Sequence, residues 1–228
     1  MIEYDGETGF GLDLHMQGMA GRIARRIRQF VRGVTASVSV DDLQEAARFL
    51  PPAGLARFRQ MPVDAQRHSL NVLTTLQGKG WHDPDLAAAA LLHDAGKLAA
   101  AKAGLTFNAW VRTALVLLDM LAPTLAARLA VDDAAGGWRY LLHVHLAHPR
   151  IGAHWADADG CSALTCWLIA HHQDKASLSD SPSNSPDSSN RRRTSGEVPR
   201  WSEVDEPHQI TEDRMRLLNA LQWADSQN

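Results

Sequence analysis

Seven consecutive apolar residues, Leu86-Ala-Ala-Ala-Ala-Leu-Leu92, run directly into His93-Asp94-Ala95-Gly96-Lys97. A helical run that is greasy on every side has to be buried, so this stretch predicts an inner helix that delivers His93 and Asp94 side by side. Neighbouring helical residues point about 100° apart. Both side chains still reach one ion if it sits at the helix end, between two neighbouring helices. An imidazole nitrogen with a carboxylate oxygen suits a borderline divalent metal such as Mn, Fe, Co or Zn. Lys97 lies one turn beyond His93, four positions on and on the same face, where an ammonium could meet a phosphate oxygen.

The rest of the composition supports a helical class. Alanine and leucine dominate the apolar residues while valine, isoleucine and tyrosine are sparse, and alternating strand patterns are hard to find. The expectation is an all-α fold. A length of 228 residues suits one ordinary domain with appended segments, or at most two domains. The net charge of −3 gives no overall drive towards nucleic acid or anionic membranes. Cys161 and Cys166 are spaced for neither a zinc knuckle nor a redox pair, which predicts reduced core cysteines in a cytoplasmic protein. No basic-then-apolar leader and no membrane-length apolar run is visible.

In chain order, residues 1–40 divide into a polar leader, Met1 to Gln17, and a basic amphipathic helix from Met19 to Val34. Met19, Ile23, Ile27, Phe30, Val31 and Val34 form its apolar stripe, and five arginines fill the remainder. Such a helix packs on its own domain with the arginines in water, lies on a membrane surface, or contacts a partner or nucleic acid. Residues 41–228 form the main domain. Its first helix begins near Val40 with an Asp as cap; Ala53 to Gln60 and Val63 to Gly78 follow. The helical pair Phe107 to Leu121 and Pro123 to Ala130 comes after the apolar run. Asp132 to Gly137 is expected to be loop, Trp138 to Leu146 helix, and His148-Pro149 a helix break. Ala163 to His172 and Glu212 to Asp225, capped by Thr211, are the last helices. Between them, residues 174–200 are rich in Ser, Pro, Asn and Asp, a composition that buries no core and predicts a disordered insertion.

The ionisable residues at the helix ends form a series. His68 lies early in its helix, His93-Asp94 ends the apolar run, His148 precedes a proline, His171-His172 ends another apolar helix, and Asp225 closes the last one. A lone buried histidine is ordinarily a satisfied core residue. Repeated placement at the ends of aliphatic helices is harder to explain by packing, because a buried ionisable group is unfavourable by several kcal/mol unless paired or metal-bound.

In this order the residues resemble the HD-domain metal-dependent phosphohydrolases: His68, then His93-Asp94, then Asp225. Within that family the chain is most similar to the HD-GYP phosphodiesterases of cyclic di-GMP. It shares His68-Ser69, His-Asp-x-Gly-Lys (His93, Asp94, Gly96, Lys97), His-Pro-x-x-Gly (His148, Pro149, Gly152), His171-His172 and Ala224-Asp225. It departs after the His-His pair, where Gln173-Asp174 and the Ser/Pro-rich stretch stand in place of the GYP signature. The interval between Lys97 and His148 is also longer, by an added helical pair.

The resemblance implies an HD-type helical bundle with an extra N-terminal helix, binding two divalent ions drawn from Mn, Fe, Co or Zn ahead of Mg. His68, His93, Asp94 and Asp225 would hold one ion. Asp94 would bridge to a second, completed by His148, His171 and His172. Asp64 is either a further ligand or a surface residue favouring the helix dipole. A metal-activated hydroxide would attack phosphorus, with Asp94 and Lys97 as catalytic residues. Lys97 would bind substrate phosphate, and Arg150 is either a second phosphate contact or a plain surface residue. The expected substrate is a nucleotide or related phosphate ester. The alternatives are a catalytically degenerate module that binds metal or nucleotide for signalling, and a purely structural bundle.

Overall fold

The computed structural model describes residues 37–106, 109–174 and 212–228, and these form helices with no strand among them. The basic stripe of 19–34, the Ser/Pro-rich segment beyond Asp174 and the Thr211 cap lie outside the described residues. The helices are α1 (Val40–Ala47), α2 (Pro52–Gln60), α3 (Val63–Gln77), α4 (Pro84–Leu92), α5 (Leu98–Lys102), α6 (Ala109–Leu121), α7 (Pro123–Leu129), α8 (Trp138–Ala158), α9 (Ala163–His171) and α10 (Glu212–Gln227). Short 3-10 turns occupy Ala95–Lys97 and Ala134–Gly136. The second of these lies inside the stretch expected to be loop.

Helix starts follow local chemistry. Pro52, Pro84 and Pro123 sit in the first turn of α2, α4 and α7, where a missing N–H leaves nothing unpaired. α1 is capped by Ser39, not by an aspartate. Ser39 Oγ accepts from the Asp42 N–H, and the Asp42 carboxylate accepts from the Ser39 N–H at 2.8 Å. The aspartate takes the return half of the capping box because a hydroxyl at the cap leaves the carboxylate free to reach back.

The centre of the molecule is the pair α4 and α9. Every residue from Leu86 to Leu92 is buried, as is every residue from Thr165 to Ala170. The two helices start together: the Ser162 hydroxyl that caps α9 donates to the Asp85 carboxylate, and Thr165 Oγ1 donates to the same oxygen at 3.1 Å. They also run for the same number of residues, so their C-terminal ends emerge together. α3 and α10 pack on α4, while α8 lies along α9 and against the Ala95–Lys97 turn. Leu70, Leu73, Leu76, Leu218 and Leu221 supply the facing side chains of this core. A second, smaller core joins α5, the α6–α7 pair and the first half of α8 through Ala99, Leu115, Ala126, Leu142 and Val144.

α8 continues unbroken through Pro149, so the expected break at His148 does not occur. Cys161 and Cys166 are buried and not joined in a disulfide, and burial pushes the Cys161 thiol up to about 11. No helix among the described residues is long and apolar enough to cross a membrane.

Candidate metal centre

Because α4 and α9 end at the same level, their terminal residues meet. His93 is the C-cap of α4 and His172 the C-cap of α9. Their rings lie 5.2 Å apart. His68 of α3 approaches His93 on one side at 5.3 Å, and His148 of α8 approaches His172 on the other at 5.4 Å. The result is a row of four imidazoles, His68, His93, His172 and His148. The last carbonyls of two buried helices face this row, and a helix C-terminus carries partial negative charge that favours a cation.

The tautomers follow from the backbone. The carbonyls of the last helical turn have run out of backbone donors. His93 Nδ1 donates to the Ala90 carbonyl at 2.9 Å, and His172 Nδ1 to the Ile169 carbonyl at 2.7 Å. His148 has the same arrangement by another route. Pro149 has no N–H to offer the carbonyl four residues back, and His148 Nδ1 donates to that carbonyl, of His145, at 2.7 Å. With the proton on Nδ1, each ring presents the Nε2 lone pair. Among the described residues the buried side-chain nitrogens and oxygens with no partner are Ser69 Oγ and the Nε2 atoms of His93, His148 and His172. An unsatisfied buried polar atom is unfavourable by about 1–3 kcal/mol. Three of these four atoms point into one site.

Asp94 stands between the rings. Its Oδ1 is 3.4 Å from His148 Nε2, and its Oδ2 is 3.8 Å from His93 Nε2. Burial raises its pKa, but Lys97, His93 and His148 outweigh this and hold the carboxyl well below the usual range. Lys97 Nζ lies 2.7 Å from the carboxylate. This corrects the expectation that Lys97 shares a face with His93. α4 ends at Leu92, the chain tightens to a 3-10 turn, and the lysine falls over Asp94 instead.

α3 and α10 supply the outer end of the row. His68 Nε2 and Asp225 Oδ1 are 2.9 Å apart, and the same oxygen is 3.7 Å from His93 Nε2. Burial lowers the His68 pKa, but the hydrogen bond to Asp225 and the nearby Asp94 reverse this and raise it. Burial raises Asp225, and the hydrogen bond from His68 overcomes it, taking the carboxyl down to about 2. Asn228 Nδ2 donates to Thr75 Oγ1 at 3.0 Å, tying the end of α10 to α3 and so fixing Asp225 beside His68.

Two glycines allow the Asp94 turn to reach α8. A Cβ on Gly96 would lie 2.0 Å from the His148 carbonyl oxygen and 2.8 Å from the Gly152 nitrogen. One on Gly152 would lie 3.2 Å from the Gly96 nitrogen. The backbones pass in direct contact, which sets the Asp94 to His148 distance.

The structure brings together His68, His93, Asp94, His148 and His172 in two groups that could hold a metal ion: His68, His93 and Asp94, and Asp94, His148 and His172. In each group the ligand atoms lie within 4.8 Å of one another, and Asp94 belongs to both. Asp225 adjoins the first group through His68. His171 is in neither group. Consecutive residues at a helix end diverge, so with His172 facing inward His171 turns aside. Its ring stacks on Trp167 at 4.5 Å and its Nδ1 donates to the Trp167 carbonyl. Asp64 is exposed in the first turn of α3 and also outside both groups. Arg150 is exposed and lines a cavity of about 220 Å³ beside the site.

Spacing from His143 does not single out His145, since two positions along a helix put the pair on different faces. The informative spacing is to His148, three residues on and therefore on the same face. The His145 and His148 ring centroids are 6.5 Å apart. His145 Nε2 lies 3.8 Å from the Asp119 carboxylate, and both residues line the cavity. Burial, foremost, and then the neighbouring His148 and Lys97 lower the His145 pKa. His143 faces Asp132 at 3.2 Å, away from the site.

Fold and site define an all-α protein with a His/Asp centre suited to divalent cations. The residues fit such an ion on three grounds: unpartnered Nε2 lone pairs, a shared ionised carboxylate, and a nitrogen/oxygen donor set of borderline hardness. No family model, no curated protein and no solved structure matches the chain.

Proposed function

We propose that this protein is a metal-dependent phosphohydrolase of the HD-domain type, acting on a nucleotide or related phosphate ester. The observation that carries the reading is the convergence of three buried, unpartnered Nε2 atoms, of His93, His148 and His172, around the doubly shared Asp94 carboxylate. A bundle built only for stability would replace such atoms with apolar ones, since well-packed hydrophobic residues in their place are neutral or better.

In this reading His68, His93, Asp94 and Asp225 would hold one ion, and Asp94, His148 and His172 would hold the other. Bound ions would supply Lewis acidity, lowering the pKa of water towards neutrality and offsetting phosphate charge. The protein's own residues do the rest. Asp94 stays ionised and directs its two oxygens to the two halves of the row. The Nδ1 hydrogen bonds hold the His93, His148 and His172 rings in place, so that little ordering remains when a ligand arrives. Lys97, partly exposed above Asp94, is placed to meet a phosphate oxygen at the mouth of the site. Hydrolysis breaks the bond between phosphorus and the ester oxygen, joins the water oxygen to phosphorus, and passes the proton to the departing alcohol.

Purified protein supplied with Mn²⁺ is expected to hydrolyse bis-p-nitrophenyl phosphate or a member of a nucleotide panel, with His93→Ala and Asp94→Ala inert. Equal inertness of wild type and both variants across the panel would contradict the reading and favour a non-catalytic binding module.

A further inference from the structure

The cavity beside the row is built partly from the helical pair inserted between Lys97 and His148. Asp119 comes from α6, His145 and Arg150 from α8, and Gln173 and Asp174 from the turn after α9. That turn is tied down, since Gln222 Nε2 of α10 donates to the Asp174 carbonyl at 2.8 Å. Leu146, Pro149 and Ala170 give the cavity an apolar wall. It adjoins the candidate metal centre directly: Pro149 follows His148 in the chain, and the His145 ring neighbours the His148 ring.

Three features define what fits. The volume is about 220 Å³, below the roughly 300–1,000 Å³ common for drug-sized ligands, so it admits one nucleoside- or sugar-sized group and not a dinucleotide. Its charged lining has one cation, Arg150, against two carboxylates, Asp119 and Asp174, a balance that disfavours a second phosphate. Carboxylates only accept hydrogen bonds, so they select groups bearing hydroxyl or amino donors.

Resting on the phosphohydrolase reading, we infer that this cavity binds the alcohol side of the ester, with Asp119 as a specificity-determining residue that accepts from its hydroxyl or amino groups. The substrate class is then a phosphate monoester of a single donor-rich alcohol, either a nucleoside or a sugar. Arg150 faces the phosphate, and the Leu146–Pro149–Ala170 wall covers the apolar face of the bound group.

The test compares Asp119→Ala with wild type, both Mn²⁺-loaded and full length. The substrates are adenosine 5′-monophosphate, glucose 6-phosphate and p-nitrophenyl phosphate, whose alcohol carries no donor. Binding of adenosine and of glucose is measured separately by calorimetry. The expected result is a fall of at least tenfold in kcat/KM for adenosine monophosphate or glucose 6-phosphate relative to p-nitrophenyl phosphate. The fall is carried mainly by KM, with matching loss of affinity for the free alcohol; which pair responds separates nucleoside from sugar. Hydrolysis of p-nitrophenyl phosphate with unchanged ratios, or faster cleavage of a cyclic dinucleotide than of either monoester, would overturn the inference and leave the phosphohydrolase reading standing. Absence of hydrolysis with an Asp119-dependent alcohol affinity would support the cavity assignment and overturn the catalytic reading. Absence of both would overturn both.

Discussion

His148 and Pro149 act as one unit: the proline withholds a backbone donor from the His145 carbonyl, and the His148 ring takes its place at 2.7 Å. A proline inside a helix ordinarily destabilises it by about 3 kcal/mol. Here the freed carbonyl sets the ring's tautomer and leaves Nε2 open towards Asp94. The local helix rule is broken at the point where the structure requires an oriented lone pair.

This yields a prediction in which stability and function part. Pro149→Ala restores an N–H that competes with His148 Nδ1 for the His145 carbonyl. The metal-free variant is expected to melt at or above the wild-type temperature, while metal affinity falls about tenfold, the lower end for loss of an orienting hydrogen bond. Calorimetric melting beside a metal titration checks both halves. Lower stability with unchanged affinity would contradict this account of the proline.

Gly96 is the position where a small change does most damage. The 2.0 Å contact of a Cβ with the His148 carbonyl oxygen is against backbone, which has no flexible end to move aside. Gly96→Ala is expected to destabilise the protein by about 3 kcal/mol, the upper end for overpacking, and to weaken metal binding by moving Asp94 away from His148. Gly152→Ala, with contacts at 3.2 and 3.3 Å, should be milder. Denaturant melts of the two variants test the order; equal, small effects would show that the turn and α8 are not in fixed contact.

Away from the site, Asp42 provides a pH prediction. The hydrogen bond from Arg67, aided by the Ser39 cap and opposed by burial, takes its carboxyl from 3.8 down to about 2. A carboxyl whose pKa is lower folded than unfolded contributes stability above the unfolded value and loses it as pH falls through the folded one. The pair is about a quarter exposed, and solvent screening reduces its worth to on the order of 1 kcal/mol. Arg67→Ala is therefore expected to lower stability by that amount at pH 7, with the gap to wild type closing between pH 4 and 2. A gap constant across that range would rule the carboxylate out as its source.

The helical class was legible because α4 and α9 are apolar on every face, and the candidate ligands because their ends carry His93, Asp94 and His172. What escaped was anything set by neighbours in space. The continuity of α8 depends on a side chain replacing a backbone donor, which no helix-breaking rule for Pro149 includes. His171 and His172 are equivalent as a doublet; only the packing of α9 decides which one turns inward. Asp119 sits in a largely aliphatic helix, and its approach to His145 became visible only once α6 was folded against α8. Ser39 rather than an aspartate caps α1, its hydroxyl accepting from the Asp42 N–H while the Asp42 carboxylate accepts from the Ser39 N–H, an exchange across three residues that reading for an Asp cap passes over.

The central claim is that the row of imidazoles is a metal centre, and metal content measures it most directly. Protein purified without chelator and analysed by inductively coupled plasma mass spectrometry is expected to carry about two equivalents of Mn, Fe, Co or Zn, as in two-metal sites. His148→Ala with His172→Ala should reduce this to about one, and Asp94→Ala should remove nearly all of it. Wild-type protein with no stoichiometric metal, even after incubation with Mn²⁺ or Zn²⁺, would contradict the account.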